Sequence, residues 1–153
     1  MPQWSDLNLE GLPTQDDFER FLGLTGFACP DQLREFLMVV NGGCPSPSGY
    51  TVTLQDGITE ERYLDCMLPL HSNFWDGERT DARQRQPMLD ILMEVLDAFP
   101  LTPMVPFAID TTGGVLAIRL DGLDTGHIVL LTQDGEEPIF VANDLTCFFE
   151  EVH

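Results

Sequence analysis

The stretch from Met104 to Leu131 constrains the fold most, because it combines three apolar runs with two glycine-containing turns. The runs predict β-strands at Met104–Asp110, Val115–Leu120 and Ile128–Leu131. Glycine reaches positive φ without steric cost, so residues 112–114 and 121–126 are suited to the turns between them. We therefore predict an antiparallel sheet at the centre of the molecule.

Two features locate these strands within the sheet. Residues 128–131 are continuously apolar, which predicts burial on both faces in the middle of the sheet. Pro106 lacks an amide donor and predicts that the first strand lies at an edge or carries a bulge. Nothing in this stretch is chemically reactive, which favours a binding protein over a catalyst.

Four helices and three further strands are predicted around this centre. Thr14 caps the first helix, Pro30 opens the second, Asn41-Gly42-Gly43 ends the second, and Asn143 or Asp144 caps the last. The apolar stripes of the four helices are Phe18, Phe21 and Leu22; Leu33, Phe36, Leu37 and Val40; Leu89, Leu92, Met93 and Leu96; and Leu145, Phe148 and Phe149. The further strands are predicted at 50–54, 63–70 and 138–142, with a helix over 60–67 as the alternative to the second.

The order of these elements predicts the fold class. Helices come first, then strands, one helix, several strands and a final helix, with no internal repeat or linker. That order is typical of an α+β domain in which one mostly antiparallel sheet packs against helices. We predict a single domain over residues 1–153.

The charge balance is unusual, because 26 acidic residues face seven basic ones, all arginine, for a net charge of −19. Such a field repels nucleic acid and anionic membranes and attracts basic partners. The sequence thus predicts a basic protein partner, no nucleic acid and no membrane. The alternative is that the charge serves only solubility or adaptation to a salty interior. No oligomeric state is predicted.

The beginning of the chain has no basic, apolar export signal, which predicts a cytoplasmic protein. In that compartment Cys29, Cys44, Cys66 and Cys147 are expected to be reduced thiols. A metal shared by Cys44, Cys66 and His71 would match no common zinc spacing. Because there is also no phosphate loop or catalytic motif, we expect no enzyme activity, no cofactor and no metal.

Acidic residues concentrate in the predicted turns of the second half of the chain. If these turns meet at one end of the sheet, their carboxylates form a negative patch suited to Lys and Arg on a partner. Trp75, in a polar loop, is a candidate apolar anchor, because tryptophan is enriched among interface hot spots. The candidate partner-binding residues are Trp75, Asp76, Asp121, Asp124, Asp134, Glu136 and Glu137. The simpler reading is that loops are polar and that Trp75 covers the edge of the core.

Three ordered motifs resemble those of the SUKH superfamily. The first is a helix ending in L-x-x-F-L-x-x-x-N-G-G, the second is P-F-A-x-D-x-x-G, and the third is V-A-x-D-x-x-x-F-F. They are carried by Leu33, Phe36, Leu37, Asn41, Gly42 and Gly43; by Pro106, Phe107, Ala108, Asp110, Gly113 and Gly114; and by Val141, Ala142, Asp144, Phe148 and Phe149.

This resemblance implies a SUKH-like fold and a non-enzymatic binding function. The superfamily includes bacterial immunity proteins of polymorphic toxin systems, which neutralise a cognate toxin that is often a nuclease or deaminase. It also includes fungal regulators of cell-wall synthesis. The resemblance therefore implies an immunity protein that occludes a basic toxin, with a regulatory or scaffold protein for a non-toxin partner as the alternative.

Overall fold

A computed structural model describes residues 2–8, 11–70, 88–133 and 137–153 of the chain. Within these residues lie four helices and two antiparallel sheets, so the predicted α+β fold is confirmed. In chain order the elements are β1 (Gln3–Ser5), α1 (Gln15–Thr25), α2 (Asp31–Leu37), β2 (Cys44–Ser46), β3 (Gly49–Thr53), β4 (Thr59–Met67), α3 (Met88–Ala98), β5 (Met104–Asp110), β6 (Val115–Arg119), β7 (Ile128–Leu131), β8 (Ile139–Ala142) and α4 (Leu145–Glu151). None of the helices in this part of the chain is long and apolar enough to cross a membrane.

The larger sheet is a six-stranded meander in the order β3-β4-β5-β6-β7-β8. It curves so far that its two outer strands, β3 and β8, also contact each other. All four residues of β7 are buried, as their unbroken apolar run predicts. Pro106 lies in an interior strand, and the register of β5 with β6 shifts between Pro106 and Ala108. Of the two predicted alternatives, an edge strand or a bulge, the bulge is therefore confirmed.

The helix boundaries follow from local capping. Thr14 and Asp17 form a capping box at α1: the Asp17 amide donates to Thr14 Oγ1, and the Thr14 amide donates to Asp17 Oδ2 over 2.7 Å. Asp144 caps α4 by accepting from the Cys147 amide over 2.8 Å. Residues 59–67 form strand β4, so the alternative of a helix there is wrong.

Three predicted helix details are wrong. Leu22 is 48% exposed and Met93 is 51% exposed, because the buried stripe of each helix is narrower than its apolar pattern. The second helix ends at Leu37, and residues 38–40 continue as a turn in which the amides of Val39 and Val40 both donate to the Phe36 carbonyl. Pro30 is the N-cap residue and precedes the first helical position.

The small sheet, β1 paired with β2, was not predicted. Each strand has three residues, and the register sets Trp4 opposite Pro45. The Trp4 ring packs edge-on against Phe36 and Phe149, with centroid separations of 5.8 Å in both cases. This sheet therefore joins the amino-terminal segment to α2 and α4 through aromatic contacts.

Candidate partner-binding surface

The β6–β7 turn is held in shape by its own backbone and presents its side chains to solvent. Gly122 and Gly126 adopt positive φ angles of 74° and 88°, which glycine tolerates. The Gly126 amide donates to the Arg119 carbonyl over 2.8 Å, and the Thr125 hydroxyl donates to the Gly122 carbonyl over 2.7 Å. Residues 121–125 are all exposed. The turn is therefore a firm support for outward-facing groups.

Two carboxylates of this turn face solvent under different electrostatic conditions. Asp124 lies 3.3 Å from Arg119 Nη1 and 3.6 Å from His127 Nδ1, so its charge is partly offset. Asp121 makes no hydrogen bond or ion pair to any residue that the structure describes. Asp121 is thus the freer of the two to pair with a cation on another molecule.

Fully exposed leucines accompany these carboxylates. Leu123, between the two aspartates, keeps its whole side chain in solvent, and Leu101 in the α3–β5 connection is 91% exposed. The two connections leave the sheet at the same end and are joined by a hydrogen bond of 3.0 Å from the Leu120 amide to the Pro103 carbonyl. We call Leu101, Asp121, Leu123 and Asp124 the acidic end. It combines negative charge with protruding apolar side chains, a composition suited to protein contacts.

The remaining candidate residues are not part of the acidic end. Successive turns of a meander alternate between the two ends of the sheet, so the β7–β8 connection with exposed Glu137 lies opposite the β6–β7 turn. The described turn carboxylates therefore do not form one patch. Trp75, Asp76, Asp134 and Glu136 lie outside the described residues. The partner-binding role of all seven residues stays a prediction.

The Asp110 side chain accepts five hydrogen bonds, and apart from its motif nothing in the sequence indicates this. Its carboxylate is buried and accepts from the Tyr50 hydroxyl over 2.8 Å and from Arg62 Nε over 2.7 Å. It also accepts from the amides of Thr112 and Gly114 over 3.0 and 2.7 Å, and from the Thr112 hydroxyl over 2.9 Å. These five donors tie β3, β4 and the β5–β6 turn to the end of β5.

The network keeps Asp110 ionised. Burial alone would raise the pKa of Asp110, but the hydrogen bonds from Arg62, Tyr50 and Thr112 outweigh it and hold the pKa below its usual range. Burial and the bond to this carboxylate raise the pKa of Tyr50. Because its oxygens are already occupied by donors, Asp110 is a structural anchor with no free lone pair for a substrate.

The cysteines differ from the sequence prediction. Cys44 and Cys66 form a disulfide, because β2 and β4 lie side by side and bring the two Cα atoms within 4.3 Å. The expectation of four reduced thiols is therefore wrong for this pair, and neither sulfur can serve a metal as a thiolate. Burial raises the pKa of Cys29 to about 12, and a hydrogen bond to Asp144 raises the pKa of Cys147. Both free thiols stay protonated and weakly nucleophilic near neutral pH.

No group of three His, Cys, Asp or Glu side chains among the described residues is arranged to hold a metal ion. The proposed third ligand beside Cys44 and Cys66 was His71, which lies outside those residues. The chemistry that the described surface offers is charge and apolar contact.

Comparison with known proteins agrees with the motif order. The model of the SMI1 / KNR4 family (SUKH-1) matches residues 12–151, which is most of the chain. Neither the curated proteins nor the solved structures gave a match.

Proposed function

Because the chain belongs to the SMI1 / KNR4 family (SUKH-1), we propose that it is a non-enzymatic immunity protein that binds a cognate basic toxin and blocks it by occlusion. The toxin would be of the nuclease or deaminase type and would be met in the cytoplasm. The observation that carries the proposal is the acidic end, where Leu123 protrudes between two exposed carboxylates on a chain with a net charge of −19.

The physical argument is one of complementarity. A nuclease that grips phosphates presents Lys and Arg, and an acidic surface can occupy those side chains in place of nucleic acid. Charge speeds the encounter, while apolar anchors at the centre of a contact supply much of the affinity. The acidic end combines exposed carboxylates and exposed leucines within one turn and one neighbouring connection.

The test is rescue of growth when this protein is co-expressed with the toxin domain encoded beside it. The variant Leu123→Ala should weaken the complex about tenfold, because truncating a central anchor costs on the order of 1–2 kcal/mol. Its matched control is Leu22→Ala on α1, a leucine that is 48% exposed and is not part of the acidic end. The charge variant is Asp121→Asn with Asp124→Asn, matched by Glu19→Gln with Glu94→Gln on α1 and α3.

Failure of rescue together with failure of co-purification at low salt would sink the proposal. If the Leu123→Ala variant and the aspartate double variant both rescue growth as well as the wild type, the toxin binds elsewhere than at the acidic end. Co-purification of a non-toxin partner, with a growth defect on deletion in pure culture, would favour the alternative of a regulatory or scaffold protein.

A further inference from the structure

A groove of about 490 Å³ runs between α2 and α4 on a different part of the molecule from the acidic end. Its floor is apolar, and at its centre the Phe36 ring stacks on Phe149 with centroids 4.7 Å apart and planes 14° apart. The residues that line it are Gln32, Glu35, Phe36, Val39, Val40, Leu145, Thr146, Phe149 and Glu150. The volume falls within the range of sites that accept a ligand.

The two charged residues of the groove are both acidic. Glu35 on α2 and Glu150 on α4 are exposed, and neither makes an ion pair to another residue in the described ranges. The nearby cation of α2 points elsewhere: Arg34 donates to Gln15 over 2.9 Å and lies over the Phe18 ring of α1 at 4.6 Å. The groove therefore has an apolar floor and an uncompensated negative rim.

Apolar surface continues outward from the groove. Val39 is 67% exposed and its neighbour Met38 is 45% exposed, because α2 ends early and the turn after it lifts both side chains into solvent. At the other side, Gln32 fixes the two helices together by accepting from the Leu145 amide over 3.0 Å. A fixed groove with exposed apolar residues at its border is the arrangement that marks an interaction site.

We infer that this groove, which we call the α2–α4 groove, docks an amphipathic helix with basic flanks on a protein partner. A third helix can lay its apolar ridge between two helices, with anchors spaced at i, i+3 or i+4, and i+7. Lys or Arg beside those anchors would then meet Glu35 and Glu150. A second copy of this chain is disfavoured, because each molecule carries a net charge of −19.

The probe is a synthetic helical peptide with leucines on one face and lysines on the others, added to the isotope-labelled full chain. Amide NMR shifts are expected at Gln32, Val39, Thr146 and Glu150. A peptide of the same composition with leucines spread around the helix should bind at least about tenfold more weakly, since it cannot bury its leucines together on the apolar floor. Shifts of equal size with both peptides would overturn the inference, as would shifts confined to residues 121–127.

Charge reversal supplies the sharper test. The double variant Glu35→Lys, Glu150→Lys should no longer bind the lysine peptide and should instead bind a peptide in which glutamate replaces lysine. The matched control, Glu19→Lys with Glu94→Lys, changes the net charge equally and should keep the wild-type preference. If the control switches preference as fully as the groove variant, the attraction is non-specific and the inference is wrong. Circular dichroism of both variants checks that they fold.

The inference does not require the partner to be a toxin. Toxin rescue that depends on Leu123, with no peptide binding in the groove, would overturn only the groove. Peptide binding in the groove without any toxin rescue would overturn only the immunity function.

Discussion

Asp110 shows how one buried charge can hold several elements, and its loss gives the first prediction. In Asp110→Asn, the Arg62 guanidinium keeps its charge with 11% of its side chain exposed and loses its buried anionic partner, leaving only the exposed carboxylate of Glu60 at 3.4 Å. Breaking such a pair costs about 3–5 kcal/mol of unfolding free energy, which urea denaturation at neutral pH measures. The control Asp56→Asn, in an exposed turn, should change it by less than about 0.5 kcal/mol. Equal losses in the two variants would contradict the anchoring role.

The lowered pKa of Asp110 makes this stabilisation dependent on pH. A depressed carboxyl pKa contributes stability above the unfolded value of about 3.9 and loses it as pH falls through the folded value. The stability gap between wild type and Asp110→Asn should stay constant above about pH 5 and narrow below about pH 4. Urea midpoints measured across this range test the sign. A gap that widens on acidification would be inconsistent with an ionised Asp110.

Asn41 has a role that the sequence pattern concealed. It was predicted as a helix stop, yet its side chain is fully buried and bridges two chain segments. Its Nδ2 donates to the carbonyls of Gly11 and Leu70 over 2.9 Å each, and its Oδ1 accepts from the Leu70 amide over 2.7 Å. The local pattern was wrong about the helix end, which lies at Leu37, and it could not reveal partners 29 and 30 residues away.

The variant Asn41→Ala should therefore be strongly destabilised. It leaves three backbone groups without their partner, at about 1–3 kcal/mol for each group that stays buried. We expect a loss of about 3 kcal/mol or more in unfolding free energy by chemical denaturation. Asn143→Ala, at an exposed asparagine before α4, is the matched control and should be nearly neutral. A neutral Asn41→Ala would show that water replaces the amide at no cost.

At the scale of elements, local signals decided which predictions are confirmed. Strands β5 and β7 match their predicted bounds. In each case an apolar run lies within a few residues of a glycine-containing turn, so both signals can be seen in the local sequence. The caps Thr14 and Asp144 act on amides three residues ahead, so they too are readable locally. The small sheet and the disulfide depend on pairings across about forty and twenty residues, for which the sequence carries no local pattern.

The Cys44–Cys66 disulfide joins β2 to β4 and gives a prediction at this scale. It closes a loop with a sequence separation of 22 residues, and in the chain-entropy account such a link contributes about 3 kcal/mol. Reduction or Cys66→Ser should lower the unfolding free energy by that order, while Cys147→Ser, at a free thiol, should not.

Thiol counting tests the bond itself. Denatured, unreduced protein purified under air should alkylate at two cysteines, Cys29 and Cys147. Protein trapped directly from a reducing cytoplasm should alkylate at all four if the bond forms only on oxidation, because disulfides are rare in that compartment. Four reactive thiols in the air-purified protein would contradict the disulfide.

For the molecule as a whole, net charge sets the behaviour in salt. With a net charge of −19 the folded chain repels itself, and added salt screens that repulsion over about 10 Å at 0.1 M and 3 Å at 1 M. We expect the Tm to rise by several degrees between low and moderate NaCl, since about 1 kcal/mol shifts it by about 2–4 °C at this length. Sucrose at matched osmolality controls for solute exclusion. A flat or falling Tm with NaCl would show that the acidic charges are spaced too widely to repel.

Composition predicted this charge but not where it is placed on the molecule. We predicted that the acidic turn residues of the second half form one patch because they follow one another along the chain. The meander separates Asp121 and Asp124 from Glu137, since each strand reverses direction. The α2–α4 groove was equally hidden, because Glu35 and Glu150 meet only when two distant helices pack.

This alternation gives the molecule two poles joined by a common frame. The turn at residues 121–126 is closed by its own backbone bonds, whereas the β5–β6 turn at the other pole is clamped by Asp110. Residues of the turn at 121–126 can therefore be substituted one by one, while the β5–β6 turn held by Asp110 preserves the alignment of the strands. If the partner of such a protein changed during evolution, the turn at residues 121–126 would be free to vary while the fold stayed the same.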